Sequence, residues 1–458
     1  MFGVWGLALF VKHQTHNIQR QTPNTKHQIK NMNINELYQI YLQHPSIQTD
    51  TRRLKQGDIF FALKGDNFNG NEYAHAALEK GASYCVVDEL IGAEDNRLIK
   101  VDNVLETLQV LAKKHREQFD IPFIAITGSN GKTTTKELIH AVLSTTFKTY
   151  TTEGNLNNHI GIPLTILKIK PDAEMAVIEM GANHQKEIEG YCKYAMPTHG
   201  LITNCGKAHL EGFGGEAGVR KGKGELFDYL KSVHGKIFIY NDYDYLLEMS
   251  NSSKSIISYG SENKNADLVG VIKNDEQFLE VSITKGASIN CIKTQLVGGY
   301  NLPNVLAAVC IGKTFGVADG SIIDALESYV PSNSRSQLLK KDSNTIILDA
   351  YNANPSSMKL AIENFAKMPG DNKILMLGGM MELGVESHQE HINIVSLIKQ
   401  YNWKQVVLVG EQFSSIHESF NYFKTSSAAR DWFVAQQFSD ATILIKGSRS
   451  MQMEKVLD

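Results

Sequence analysis

Residues 123–137, FIAITGSNGKTTTKE, constrain this 458-residue chain more than any other stretch. Five apolar or β-favouring residues lead into a turn with two glycines, then into a lysine, three threonines and a helix-forming run. A strand that turns tightly into a helix aims successive backbone N–H groups at one point, at the positive end of that helix. That is a cradle for phosphate. Gly128 and Gly131 flank Ser129 and Asn130, Lys132 can reach the outer phosphates, and Thr133 can ligate Mg²⁺. The general pattern G-x-x-x-x-G-K-[ST] puts another glycine at position 126, where this chain has Ile126. Ile126 belongs to the strand, so its side chain is expected in the core and no phosphate-contacting feature is lost. The competing reading is a glycine turn with a solvated lysine.

Around this stretch the chain divides into three α/β blocks. In the first, residues 58–63, 83–89 and 97–101 read as strands. Residues 73–81 read as a helix stopped by Gly81, and 105–119 as an amphipathic helix, with Pro122 as a boundary. In the second, apolar runs at 123–127, 175–181, 200–205 and 236–241 are separated by helical stretches. That rhythm predicts a parallel sheet covered on both faces. Residues 255–298 alternate polar and apolar over short runs, which predicts antiparallel hairpins inserted in this domain or finishing it. The third block repeats the α/β rhythm with strands at 345–351, 373–380, 405–410 and 442–448. The expected architecture is three domains. A small α/β N-terminal domain spans 32–115, and a central P-loop parallel-sheet ATPase domain with added antiparallel strands spans 116–328. A C-terminal Rossmann-like α/β domain spans 329–458.

Residues 1–31 stand apart. MFGVWGLALFV is apolar but too short to span a bilayer, its lysine follows the apolar run, and 12–31 are polar. A disordered extension or an upstream start before Met32 is expected, with an uncleaved membrane anchor as the alternative. A formal net charge of −3 argues against nucleic acid or a membrane surface as the main partner. Five scattered cysteines without a C-x-x-C pair argue against a disulfide framework or zinc ribbon and fit a reducing, cytoplasmic setting.

Three further features bear on chemistry. Glu179 ends an apolar strand, where a carboxylate near a phosphate loop can serve Mg²⁺ directly or through water. It could equally be a helix cap or a solvated carboxylate. His209 follows the strand at 200–205, and alone such a histidine is more often structural than a ligand. The run Arg220, Lys221, Lys223 reads as a solvated helix start. Crowded like charges could also lower one lysine's pKa, and a neutral lysine can take up CO₂ as a metal-binding carbamate.

TGSNGKTTTKE, TEGNLNNHIGIPLTIL, EMGANHQKEI, NCGKAHLEGFGG, GVRKGKGELF, GGYNLPNVLAA, LDAYNANPSSM, MLGGMMELG and IKGSRSMQMEKV follow one another in this chain. From about residue 32 to the C-terminus, the sequence resembles the Mur ligases, ATP-dependent amide-forming enzymes of peptidoglycan synthesis. In that family's phosphate loop the early glycine is not required. The resemblance implies the reaction. ATP phosphorylates the C-terminal carboxylate of a UDP-N-acetylmuramoyl-tripeptide, and the amine of D-alanyl-D-alanine attacks the acyl phosphate. Bringing two anions together requires cations, so a lysine and two Mg²⁺ ions are expected.

The resemblance also implies roles. Gly128, Ser129, Asn130, Gly131, Lys132, Thr133 and Thr134 cradle the phosphates, with Thr133 on Mg²⁺. Glu179 matches the first magnesium carboxylate, and His209 and Lys223 match the second metal's ligands, with Lys223 carbamoylated. Lys132, Glu179, His209 and Lys223 together make up the expected catalytic set. Asn301 and Asn304 lie near adenine, Arg335 reaches the phosphates, and Asp349 lies near the ribose, with Tyr351, Asn352 and Asn354 around it. Thr51 and Arg52 match the uridine-nucleotide segment, with a plain surface turn as the alternative. Asn155, Asn157 and Asn158 face the muramyl peptide. Lys446, Ser448 and Arg449 support the acceptor or the closed state. Two departures stand out: Tyr300 replaces the family's usual histidine, and Gly379 replaces a frequent aspartate, for which Glu382 could compensate. The chain is expected to act as a monomer and to close its domains on its ligands. Three other readings remain: the neighbouring ligase that adds the third amino acid, a folylpolyglutamate-synthase-like ligase, and a P-loop switch protein that performs no ligation.

Overall fold

A computed structural model describes residues 32–93, 95–332 and 334–458. The expectation for residues 1–31 lies outside the described residues.

The first unit is a four-stranded, all-parallel sheet in the order Ile47–Gln48, Ile59–Phe61, Tyr84–Val87, Leu98–Lys100. Alternation decides which way each side chain packs. Phe60 and Cys85 point to a small core under the helix Ala74–Glu79, whereas Ile59, Phe61 and Val86 join the large core shared with the central unit. Both faces are therefore buried. The helix Ile34–Gln43 opens on a capping box formed by Asn33 and Glu36. The helix Val104–Arg116 buries Val104, Leu108, Leu111, Ala112 and His115, a stripe at the 3.6-residue period. Arg116 fastens it to the central unit by donating to the carbonyls of Ala195 and Met196 at 3.1 and 3.0 Å.

The central unit carries a nine-stranded sheet. From one edge its order is Thr149–Thr151, Met175–Glu179, Phe123–Thr127, His199–Ile202, Lys236–Tyr240, Ile256–Gly260, Leu268–Asn274, Glu280–Lys285, Ile292–Lys293. The pairings run parallel up to Leu268–Asn274 and antiparallel beyond it. Within 255–298 the expected antiparallel hairpins run from Leu268–Asn274 through Glu280–Lys285 to Ile292–Lys293, but Ile256–Gly260 and its pairing with Leu268–Asn274 extend the parallel sheet. Both strands are exposed along part of their length, and this gave them an amphipathic sequence. Phe123–Thr127 lies at the point where the chain order switches direction, with Met175–Glu179 on one side and His199–Ile202 on the other. In such sheets the crevice for a ligand opens there, beyond the strands' carboxyl ends.

The third unit has six strands in the order Gln337–Lys341, Asn344–Asp349, Thr442–Lys446, Lys373–Gly378, Gln405–Val409, Asn421–Phe423. All pairs are parallel except the first. The edge strands Gln337–Lys341 and Asn421–Phe423 were not anticipated. Neither contains a fully buried residue, so neither has the apolar run that marks its neighbours.

Candidate active site

The phosphate loop is shaped by what surrounds it. Ile126 is fully buried, as its place in the strand requires. Gly128 has φ +143°, and a Cβ there would lie 2.0 Å from Thr203 Oγ1. Gly131 has φ +80°, and a Cβ there would lie 2.7 Å from Asn304 Oδ1. Both positions therefore demand glycine. Ser129 Oγ donates to Gly206 O at 2.9 Å, and the Asn130 N–H donates to Asn204 Oδ1 at 3.0 Å. Thr203 Oγ1 and Asn204 Nδ2 both donate to Asn130 O, at 2.6 and 3.0 Å. The helix Lys132–Ser144 begins at this loop with no side chain capping it, so its first N–H groups are free for an anion. Lys132 Nζ rests on the carbonyls of Gly128 and Ser129 at 2.8 and 3.1 Å. Burial pushes its pKa down, while the Glu179 charge pulls the other way.

The loop forms one wall of a cavity of about 810 Å³. Ser129 to Thr134, Asn157, Asn158, Glu179, His209, Asn301, Asn304, Arg335, Asp349, Tyr351, Asn352, Asn354 and Lys446 all line it. All three threads of the reading, phosphate, metal and nucleotide, therefore meet in one cavity between the central and C-terminal units.

Glu179 is 1% exposed. Its Oε1 accepts from Asn157 Nδ2 at 2.8 Å, whereas its Oε2 is buried with no hydrogen-bond partner. Leaving a carboxylate oxygen buried and unpaired is costly, and a cation is the natural remedy. Thr133 lines the same cavity, so the residues present fit a magnesium ion completed by phosphate oxygens and water. No cluster of three or more His, Cys, Asp or Glu side chains that could hold a metal alone occurs among the described residues.

His209 adopts a left-handed conformation, φ 54°, at the start of the short helix Leu210–Phe213. Its Nδ1 is 2.5 Å from Glu382 Oε2 of the C-terminal unit. The contact ties the ring to the C-terminal unit. The His209 ring holds the Glu382 carboxyl below the usual carboxylate range.

Lys223, on the helix Glu216–Ser232, is 1% exposed and donates to Ala182 O at 2.9 Å. Burial, aided by the Lys132 charge, brings its pKa down to about 7. The expected solvated helix start is thus overturned for this residue. Lys223 does not itself line the cavity, but Ala182, to which it bonds, does.

The remaining candidates separate into two groups. Asn301 Nδ2 donates to Val297 O, Asn304 Nδ2 donates to Asn301 Oδ1, and Thr135 Oγ1 donates to Asn304 Oδ1. These two asparagines thus couple the phosphate-loop helix to the helix Leu302–Thr314. Asp349 receives Lys446 Nζ at 2.6 Å, and Lys446 also donates to Asn352 O at 3.2 Å. The guanidinium of Arg335 lies 3.6 Å from the centroid of the Tyr351 ring. Asn354 caps the helix Pro355–Lys367 and donates to Asn130 Oδ1 at 2.7 Å, joining the C-terminal unit to the phosphate loop.

Thr51, Arg52, Asn155, Lys223, Ser448, Arg449 and Gly128 are not among the lining residues. Arg52 is exposed and paired with Asp50. Ser448 is buried, accepting from the Met381 N–H and donating to Ala353 O, and Arg449 pairs with Glu454. Sequence reasoning missed Tyr240, Tyr243 and Tyr245, which also line the cavity. Their signal was the alternating tyrosines of YNDYDY beyond a parallel strand.

Comparison with known proteins agrees with this geometry. Residues 45–116 match the Mur ligase family catalytic domain, residues 126–312 the Mur ligase middle domain, and residues 334–449 the Mur ligase glutamate ligase domain. The UDP-N-acetylmuramoyl-tripeptide–D-alanyl-D-alanine ligase of Bacillus subtilis is 33% identical over 453 residues, 96% of this chain and 98% of that relative. Among solved structures, MurF from Acinetobacter baumannii superposes with a TM-score of 0.82 at 30% identity, covering 90% of this chain and 92% of that one. MurF ligase from Thermotoga maritima, solved in complex with ADP, gives 0.81 at 26% identity, covering 91% and 97%. With three successive domain matches falling on three successive α/β units, and a phosphate loop opening the matched middle domain, this chain belongs to the Mur ligase family.

Proposed function

We propose that this Mur ligase uses ATP to join D-alanyl-D-alanine to the C-terminal carboxylate of UDP-N-acetylmuramoyl-tripeptide, in the making of peptidoglycan precursors. The observation that carries this reading is the end-to-end likeness to a ligase of that name, over 96% of this chain and 98% of the relative. The cavity supports it. A carboxylate is a poor acyl donor, because an oxide ion is a poor leaving group, and phosphorylation replaces it with a far better one. The uncapped helix at Lys132 and the Lys132 ammonium receive the γ-phosphate of ATP. Asn157, held against Glu179, and Asn158 face the peptide that brings the carboxylate. Once the acyl phosphate forms, the dipeptide's amine attacks its carbonyl carbon, phosphate leaves, and an amide remains.

Magnesium would be held by Thr133 and Glu179 in one position and by His209 with Lys223 in a second, and would neutralise the crowded phosphate oxygens. The buried, partnerless Oε2 of Glu179 supports the first position. For Lys223 to serve, its neutral amine adds to CO₂, releasing one proton and forming a carbamate. A lysine with its pKa near 7 holds much of its amine unprotonated at neutral pH. Lys223→Ala is expected to lower ligation by about 100-fold or more, and full activity in that variant would end the carbamate assignment.

On the substrate side, Thr51 and Arg52 are proposed for the uridine nucleotide, and Asn155 for the muramyl peptide. Lys446, Ser448 and Arg449 support the domain that receives the acceptor. No helix among the described residues is long and apolar enough to cross a membrane. The five cysteines are free, which is in keeping with our placing the enzyme in the reducing cytoplasm, as a monomer.

Phosphate release measured across a panel of UDP-peptides and acceptors tests the reading. Turnover is expected only with UDP-tripeptide and D-alanyl-D-alanine together. Turnover with UDP-dipeptide and a single diamino acid would move the chain to the neighbouring ligase. ATP hydrolysis indifferent to both would make it a switch.

A further inference from the structure

Tyr300 and Ser336 come from different units, and their hydroxyl oxygens lie 3.0 Å apart. Tyr300 stands in the helical turn Gly299–Asn301 of the central unit. Its ring is seated against the backbone of Gly298, where φ is +92° and a Cβ would fall 2.4 Å from Tyr300 Cε1. The same Cβ would fall 3.0 Å from Asn364 Cγ of the C-terminal unit, so the ring sits in the crevice between the two units.

Ser336 follows Arg335 in the connector between those units. Ser334 and Ser336, on either side of Arg335, both hold positive φ, 56° and 49°. Non-glycine residues are disfavoured in that region, so their surroundings must hold them there. The Tyr351 N–H donates to Ser334 O at 3.2 Å, and the Ser336 N–H donates to Asp349 Oδ1 at 3.2 Å. Both partners belong to the C-terminal unit. From the central unit, the Tyr300 hydroxyl reaches the connector at Ser336, beside Arg335, while Glu137 accepts from Tyr329 at the connector's start. Arg335 is thereby aimed into the cavity, stacked on Tyr351, with its charge within reach of Lys132.

We propose that Tyr300 is a positioning residue, whose hydroxyl ties Ser336 to the central unit and so fixes Arg335 against the phosphates when the two units are closed. The inference rests on the ligase reading above, in which Arg335 approaches ATP.

Two measurements test it. In steady-state ligation, Tyr300→Phe is expected to lower kcat by about three- to ten-fold, the worth of one hydroxyl contact, with the KM for ATP nearly unchanged. In an Arg335→Ala background the same substitution is expected to cost nothing more. An equal loss in both backgrounds, or a loss confined to the KM for ATP, would overturn the proposal.

The second measurement needs no ligase activity. Trypsin cleaves after Arg335, and Tyr300→Phe is expected to speed that cleavage about three- to ten-fold by loosening the connector. An unchanged cleavage rate would overturn the proposal. An inactive wild-type enzyme whose trypsin result is as expected would instead count against the ligase reading alone.

Discussion

At the scale of single residues, the site is defined by groups whose cost is justified only by a ligand. Glu179 is the clearest, a buried carboxylate with one satisfied oxygen and one unsatisfied. Glu179→Gln keeps the shape and the Asn157 contact while removing the charge. Ligation is expected to fall about 100-fold or more. The thermal midpoint, read by scanning fluorimetry, should stay nearly level, because the buried oxygen without a partner is gone while the Lys132 ammonium loses a nearby charge. A large drop in the midpoint would mean that Glu179 is structural. Glu179 could be picked out from its place at a strand end, but its orphaned oxygen could not. Lys223 shows the same limit: the sequence placed it in a basic run, and only burial turned it from a surface charge into an amine with a pKa near 7.

At the scale of elements, the strand His199–Ile202 flanks the phosphate-loop strand and carries a half-buried titratable ring. His199 stacks near Phe238 and Phe315, and burial, with help from Lys236, brings its pKa down to about 4. An unfolded histidine titrates near 6.5. Between those values the unfolded chain binds a proton that the native state refuses, so native stability falls as pH drops from about 6.5 to about 4 and is unaffected by this residue above that window. Denaturant midpoints measured across this range should decline in the wild type and decline less in His199→Gln. Matching slopes would sink this assignment. Elements with strong local signals were legible: the 3.6-residue stripe of Val104–Arg116, the apolar run of Phe123–Thr127, and the positive-φ glycine at 81. The strand Ile256–Gly260 was misread because partial exposure gave it the alternation of a hairpin, whereas Leu268–Asn274 does form one with Glu280–Lys285. Pairing direction is a property of two strands and is not written in either one.

At the scale of the whole molecule, the C-terminal unit is clasped to the central one around the cavity mouth. Asn354 reaches Asn130, the Lys207 N–H donates to Ser356 Oγ at 3.0 Å, and Lys207 Nζ pairs with Glu390 at 2.7 Å. His209 meets Glu382 nearby. These four ties are all polar, as suits contacts that open and close with ligands. Small-angle scattering should show the wild type compacting with an ATP analogue and UDP-tripeptide, and Lys207→Ala compacting less, since Glu390 is then left buried without its cation. The same radius of gyration in both proteins, with and without ligands, would count against closure.

What the sequence determined by itself is what short-range geometry and chemistry dictate. It specified a glycine-shaped phosphate cradle between strand and helix, three α/β blocks, and a set of polar residues in the order of a ligase family. Those features survive translation into structure because φ preferences, side-chain periods and turn chemistry act over a few neighbouring residues. Only the tertiary structure decided which of those polar groups are buried, which are spent on one another, and which remain open to a ligand. It took Lys446 and Ser448 out of solvent and into ties within the C-terminal unit, left Arg52 on the surface, and brought Tyr300 to Ser336 across two units. Desolvation and Coulomb interaction depend on what lies within a few ångströms in space, and in this chain those neighbours come from distant parts of the sequence.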